Sequence, residues 1–81
     1  MKHYQIRSID KHTVLFEGFF ENFKTCVETA VAGKAILNRA DLSNHNLSNA
    51  NLDDAIMPEA DFTNSNLTGA NMSEAYFKGS R

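Results

Sequence analysis

From Leu37 to Phe77 a bulky apolar residue returns at every fifth position: Leu37, Leu42, Leu47, Leu52, Met57, Phe62, Leu67, Met72 and Phe77. Two residues before each stands a small one, Ala35, Ala40, Ala50, Ala55, Ala60, Ser65, Ala70 and Ala75, with His45 as the exception. A period of five fits no single standard element. A helix repeats its apolar face at i, i+3, i+4 and i+7, and a strand alternates. Two residues apart, the small and the bulky side chain point to one side of a short extended segment. The chain then has to turn, and the Asn, Asp, Ser, Thr and Gly that fill the other places suit corners. One such unit cannot bury its own face, so a fixed short period implies stacking into a solenoid.

Segments such as Ala40-Asp41-Leu42-Ser43-Asn44 and Ala50-Asn51-Leu52-Asp53-Asp54 resemble the pentapeptide-repeat family, and the resemblance runs through nine consecutive units from Ala35 to Gly79. It implies a mainly β fold, a right-handed quadrilateral β-helix with four units per coil and about two coils. Residue n then lies above residue n+20. Inward, Leu37, Met57 and Phe77 stack, as do Leu42 on Phe62, Leu47 on Leu67 and Leu52 on Met72, and all are expected to be core.

The residues before the repeats read differently. Tyr4 to Phe20 holds two β-prone apolar runs with Asp10-Lys11-His12 between them, a β-hairpin. Asn22 is a suitable N-cap, Phe23, Cys26, Val27, Ala30 and Val31 form one apolar helical stripe, and Gly33 is placed to end it. This helix should plug the top of the solenoid. The expected organisation is a single domain over 1–81, with a hairpin and capping helix in 1–34, repeats in 35–79 and a tail at 80–81.

Composition narrows the function. At 81 residues one core is small, and the net charge of −2 lacks the basic excess of a nucleic-acid binder. Residues 1–36 hold five Lys/Arg against four acids, and residues 37–81 hold three against six. A lone cysteine makes no internal disulfide and suits a reducing cytoplasm. No apolar run is long enough for a signal peptide or a membrane span. No Ser-centred elbow, Cys–His pair, Gly-rich phosphate loop or Cys-x-x-Cys is present, so no catalytic residue, metal ligand or cofactor is expected. His45 has no second His or Cys in its column. Its expected place is a locally distorted coil, bonded to Ser65 or to backbone.

The surface columns carry the functional expectations. Ile36, Ile56 and Tyr76 make an outward apolar stripe on the first face, to be covered by the hairpin or by another chain. The coil end would show Phe62, Leu67, Met72 and Phe77 from below, which predicts a homodimer through the C-terminal end. Asp41 on Asp61, and Asp53 and Asp54 with Glu74, make an acidic surface. The chain therefore reads as a non-catalytic interaction or assembly module, with an unidentified protein target and no direct contact to nucleic acid or membrane. The resemblance implies two finer readings, a phage-borne modulator of a host protein and an acidic DNA mimic inhibiting an enzyme such as DNA gyrase.

Overall fold

The computed structural model describes residues 1–77, 79 and 80. Lys78 within the repeats and Arg81 of the expected tail lie outside the described residues. Two strands and one helix precede the repeats: β1 (Lys2–Arg7), β2 (Val14–Phe20) and α1 (Phe23–Ala32). β1 and β2 pair antiparallel, from Lys2 opposite Phe20 to Arg7 opposite Val14, with a register shift at Ile6/Arg7. The connection is longer than a tight turn, closed by Ser8 N–H on Thr13 O at 2.9 Å and by Lys11 in the left-handed region at φ 67. Asp10 organises it, accepting from the Ser8 hydroxyl and from His12 N–H. These two bonds, the hydroxyl's first, lower its pKa.

α1 starts and stops where its sequence dictates. The Asn22 side chain accepts from Thr25 N–H at 2.8 Å, and Gly33 N–H returns to Thr29 O. Cys26, Val27, Ala30 and Val31 are its buried residues, and they share one core with Ile6, Leu37, Leu42, Leu47, Leu52 and Met57. Lys24 Nζ reaches Ser48 O at 3.2 Å, and Glu28 accepts Asn51 N–H at 2.8 Å, so α1 is fastened across the first coil.

The repeats form a β-helix-like solenoid. Parallel bridges join Ile36 to Ile56 and Ile56 to Tyr76, Asp41 to Asp61, Asn46 to Asn66, and Asn51 to Asn71, each step being twenty residues. Hydrogen bonds knit the coils at the same spacing, with Leu47 N–H on Asn66 O at 2.8 Å and Asn66 N–H on His45 O at 3.0 Å. The corners repeat as strictly as the core. Lys34, Arg39, Asn44, Asn49, Asp54, Glu59, Asn64, Gly69, Glu74 and Gly79 all have positive φ, between 58 and 78 degrees. A left-handed residue at the third position of a turn is what a type II corner requires. Ala40 N–H on Leu37 O and Ala50 N–H on Leu47 O close such corners at 3.1 Å.

The expected core is sealed in the upper coil and only half sealed below. Leu37, Leu42, Leu47, Leu52 and Met57 are all 0% exposed. Phe62, Leu67, Met72 and Phe77 are partly buried instead of buried. The upper residues have α1 and the hairpin above and a coil beneath, whereas these have a coil above and no described element beneath.

Candidate interaction surfaces

The six outward Asn and Asp residues of faces two to four have a structural task. Asp41, Asn46, Asn51, Asp61, Asn66 and Asn71 each accept, through Oδ1, the N–H two residues onward, at 2.9–3.2 Å. These are Asx bonds that hold the corner. On the first face the same position holds Ile36, Ile56 and Tyr76, which have no oxygen to offer there. At the middle rung the loss costs nothing, because the residue two beyond Ile56 is Pro58, which has no N–H.

The stripe lies open, at 66% exposure for Ile36, 36% for Ile56 and 51% for Tyr76. The hairpin does not cover it. Ser8 bridges Ala40, Asp41 N–H donates to Arg7 O and Ile9 N–H to Arg39 O, both at 2.8 Å, so the hairpin closes the upper edge of the second face. Charged corners flank the stripe. Lys34 pairs with Asp54 at 3.8 Å in one corner and Arg39 with Glu59 at 3.8 Å in the other.

The lower end forms a second surface. Phe62 and Phe77 meet edge to face at 5.6 Å and 71 degrees, and Leu67 and Met72 complete a partly buried apolar floor.

The acidic columns are less uniform than their sequence implied. Lys11 sits on the Asp41 carboxylate, and Lys34 faces Asp54. Asp61 spends one oxygen on the N–H and hydroxyl of Thr63. Among the described residues, no ion pair within 4 Å involves Asp53 or Glu74.

His45 joins solenoid to cap. Its ring stacks on Phe23 of α1, with centroids 3.7 Å apart and planes 17 degrees apart. The third face keeps its Asn46–Asn66 bridge, so no bulge is needed, because the ring rises toward α1 and leaves the interior to Leu47 and Leu42. The distortion is confined to one turn. His45 N–H donates to Ser65 Oγ at 3.3 Å, and the Ser65 hydroxyl donates to Leu42 O, so a hydroxyl from the coil below spans the corner. Ser80 does the same beneath Ala60 and Met57, at 3.1 Å to each. Burial lowers the His45 pKa, with a smaller push from the Lys11 charge. Burial also raises the Cys26 thiol pKa, which keeps it unreactive.

Two open clefts flank α1. The larger, about 460 Å³, is lined by Thr25, Glu28, Thr29, Val31, Ala32, Asn51 and Asp53. The smaller, about 300 Å³, is lined by Asn22, Phe23, Lys24, Asn46 and Ser48. Neither brings a nucleophile to a base. Among the described residues no group of three or more His, Cys, Asp or Glu could hold a metal, and no helix is long and apolar enough to cross a membrane.

Sequence reasoning missed the left-handed corners and the ion pairs at 34/54 and 39/59. The corner column was readable. Asn44, Asn49, Asp54, Asn64, Gly69 and Gly79 are residue types that tolerate positive φ.

A family model described as pentapeptide repeats matches residues 30–55 and 46–81, in eight copies. Among curated proteins and among solved structures, no match was found.

Proposed function

The chain belongs to the pentapeptide-repeat family, and we propose that it is a protein-interaction and assembly module that pairs end to end with a second copy of itself. Proteins of this family are in general non-catalytic interaction modules. In this reading the solenoid is the right-handed quadrilateral form of about two coils, which the four rows of parallel bridges support. The observation that carries the reading is the contrast between coils. Leu42, Leu47, Leu52 and Met57 are sealed, while Phe62, Leu67, Met72 and Phe77 at the equivalent positions are only partly buried. Two such floors meeting about a two-fold axis bury each other and close the assembly. The Phe62–Phe77 pair supplies the aromatic anchors that interface centres favour.

A heterologous partner is the second reading. The same floor and the Ile36/Ile56/Tyr76 stripe would suit a phage-borne modulator docking on a host protein. DNA mimicry toward an enzyme such as DNA gyrase is the weaker version. Asp41 and Asp54 already face lysines, and two coils at ~4.8 Å each span little of a duplex. A cytoplasmic location fits the single cysteine, which is free and buried.

Sedimentation equilibrium at micromolar concentration tests the end-to-end pairing. The wild-type chain is expected at twice its 9.0 kDa, in low and high salt alike, because the contact is apolar. Phe77→Glu and Leu67→Glu are expected at one chain mass. A wild-type chain that sediments as a monomer refutes the pairing. A target that binds tightly at low salt and is lost steeply at high salt would favour the acidic-mimic reading.

A further inference from the structure

The geometry points to the first face as a second self-association surface, on which another copy of this chain docks with its solenoid axis antiparallel. This goes beyond the end-to-end pairing and uses different residues.

The apolar part is the open stripe of Ile36, Ile56 and Tyr76, stacked by parallel bridges into one column. What says which partner covers it is the charge on its two borders. Down one corner run Lys34, Asp54 and Glu74, and down the other run Arg39 and Glu59 before Gly79. The top rung is therefore positive on both sides of the stripe and the second rung negative on both sides. All four side chains of the 34/54 and 39/59 pairs stay largely exposed, at 49–67%, so they remain available to a partner.

A second copy can meet this face in two symmetric ways. With axes parallel, Lys34 would face Arg39 and Asp54 would face Glu59, like charge on like at both upper rungs. With axes antiparallel, about a two-fold axis passing between the first and second rungs, the borders become complementary. Lys34 then faces Asp54 and Arg39 faces Glu59, and the symmetry makes each pairing twice. Ile36 packs on Ile56, also twice, and Tyr76 comes toward the exposed end of α1 at Ala32 and Gly33. Charge thus selects one orientation and penalises the other, which is how electrostatic complementarity fixes register. The molecule measures 29 × 27 × 24 Å, and the stripe with its borders occupies part of one side. A contact built on three apolar side chains and four border charges is expected to be weak and transient, below the ~800 Å² per partner of a standard interface.

Disulfide trapping reads such a contact and its orientation. Chains carrying Ile36→Cys and Ile56→Cys are mixed at micromolar concentration and oxidised with diamide. Asn46→Cys mixed with Asn66→Cys on the third face is the control. The native Cys26 is buried and takes no part. The mixed first-face chains are expected to cross-link on the order of tenfold faster than the control, since contact raises the effective concentration of the thiols. Tyr76→Cys chains alone should link no faster than the control, because antiparallel docking sends the two residues to opposite ends. Adding Lys34→Glu with Arg39→Glu to both chains should return the mixed rate to the control. Mixed cross-linking at the control rate overturns the proposal and leaves the stripe to a different protein. Fast linking of Tyr76→Cys to itself overturns the antiparallel orientation and with it the charge argument. End-to-end pairing cannot produce the signal, since it holds these residues on separate coils beyond the ~7 Å reach of a disulfide. Repeating the trap in Phe77→Glu chains separates the two contacts. Failure there with wild-type sedimentation unchanged sinks only the lateral contact. Cross-linking with a monomeric wild type sinks only the end contact.

Discussion

Leu47 and Leu67 stand at the same repeat position, twenty residues apart, and the structure assigns them different energies. Leu47 is 0% exposed, with α1 above and Leu67 below, whereas Leu67 is only partly buried. Truncating a sealed leucine to alanine costs its transfer energy plus the cavity, about 3 kcal/mol in a site that cannot collapse. Leu47 is such a site, because the backbone ladder on either side of it, at Leu47 N–H and Asn49 N–H, holds the coil spacing. Leu67→Ala removes the same atoms from a surface that water already reaches, so roughly half that cost is expected. For a chain of this size total stability is on the order of 4–12 kcal/mol, so both changes are measurable. The assay is urea unfolding followed by circular dichroism, compared by midpoint at constant slope.

Concentration sharpens the comparison. If the floor pairs with a second copy, Leu67 is covered in the dimer, and dimerisation adds stability by mass action. The Leu67→Ala deficit should then grow as protein concentration rises, while the Leu47→Ala deficit stays fixed. The reasoning fails if Leu67→Ala costs as much as Leu47→Ala in dilute solution. It also fails if the Leu67→Ala deficit ignores concentration while the wild type sediments as a dimer.

Two further outcomes follow from single residues. His45 has a pKa lowered by burial, so the fold favours its neutral ring; that contribution is present above the unfolded value of about 6.5 and is lost as pH falls through the lower folded one. Urea midpoints of wild type should drop from neutral pH toward mild acid more steeply than those of His45→Phe, which keeps a ring against Phe23, and equal pH slopes would refute the assignment. Asn64 sits in a left-handed corner at φ 62, so Asn64→Ala should cost about 1 kcal/mol while Asn64→Gly should be neutral or better, and the reverse order in thermal melts would contradict the corner geometry.

The inward half of this molecule was legible because one physical demand fixes each position. A bulky residue every fifth place and a small one two before it leave a single way to bury both, and Leu42, Leu47 and Leu52 lie where that rule puts them. The helix was legible from its caps, with Asn22 accepting from Thr25 N–H and Gly33 ending the last turn. The seat of His45 was not legible, because it depends on Phe23 meeting it from another element. The docking of the hairpin on the second face was hidden for the same reason. It rests on main-chain bonds such as Asp41 N–H to Arg7 O, which leave no mark on side-chain pattern. The ion pairs needed both the twenty-residue stacking and the left-handed corners before Lys34 could be set over Asp54.

Where the chain departs from its own pattern, the departures differ in kind. Ser65 departs from alanine at the inward position and repairs a corner, giving its hydroxyl to Leu42 O and taking the His45 N–H. Ser80 departs in the same way beneath Met57 and Ala60. Both are explained inside the molecule. Ile36 gives up the Asx bond that six residues on the other faces make and stays 66% exposed, whereas at Ile56 no such bond is forgone, because Pro58 has no N–H. At Ile36, where asparagine would hold the corner, an exposed isoleucine is a net loss for the single chain. Three outward apolar side chains in one column, bordered by cations at the first rung and by carboxylates below, have no account within the fold. A contact with another chain supplies one, since it covers the stripe and gives the border charges of the upper two rungs opposite partners.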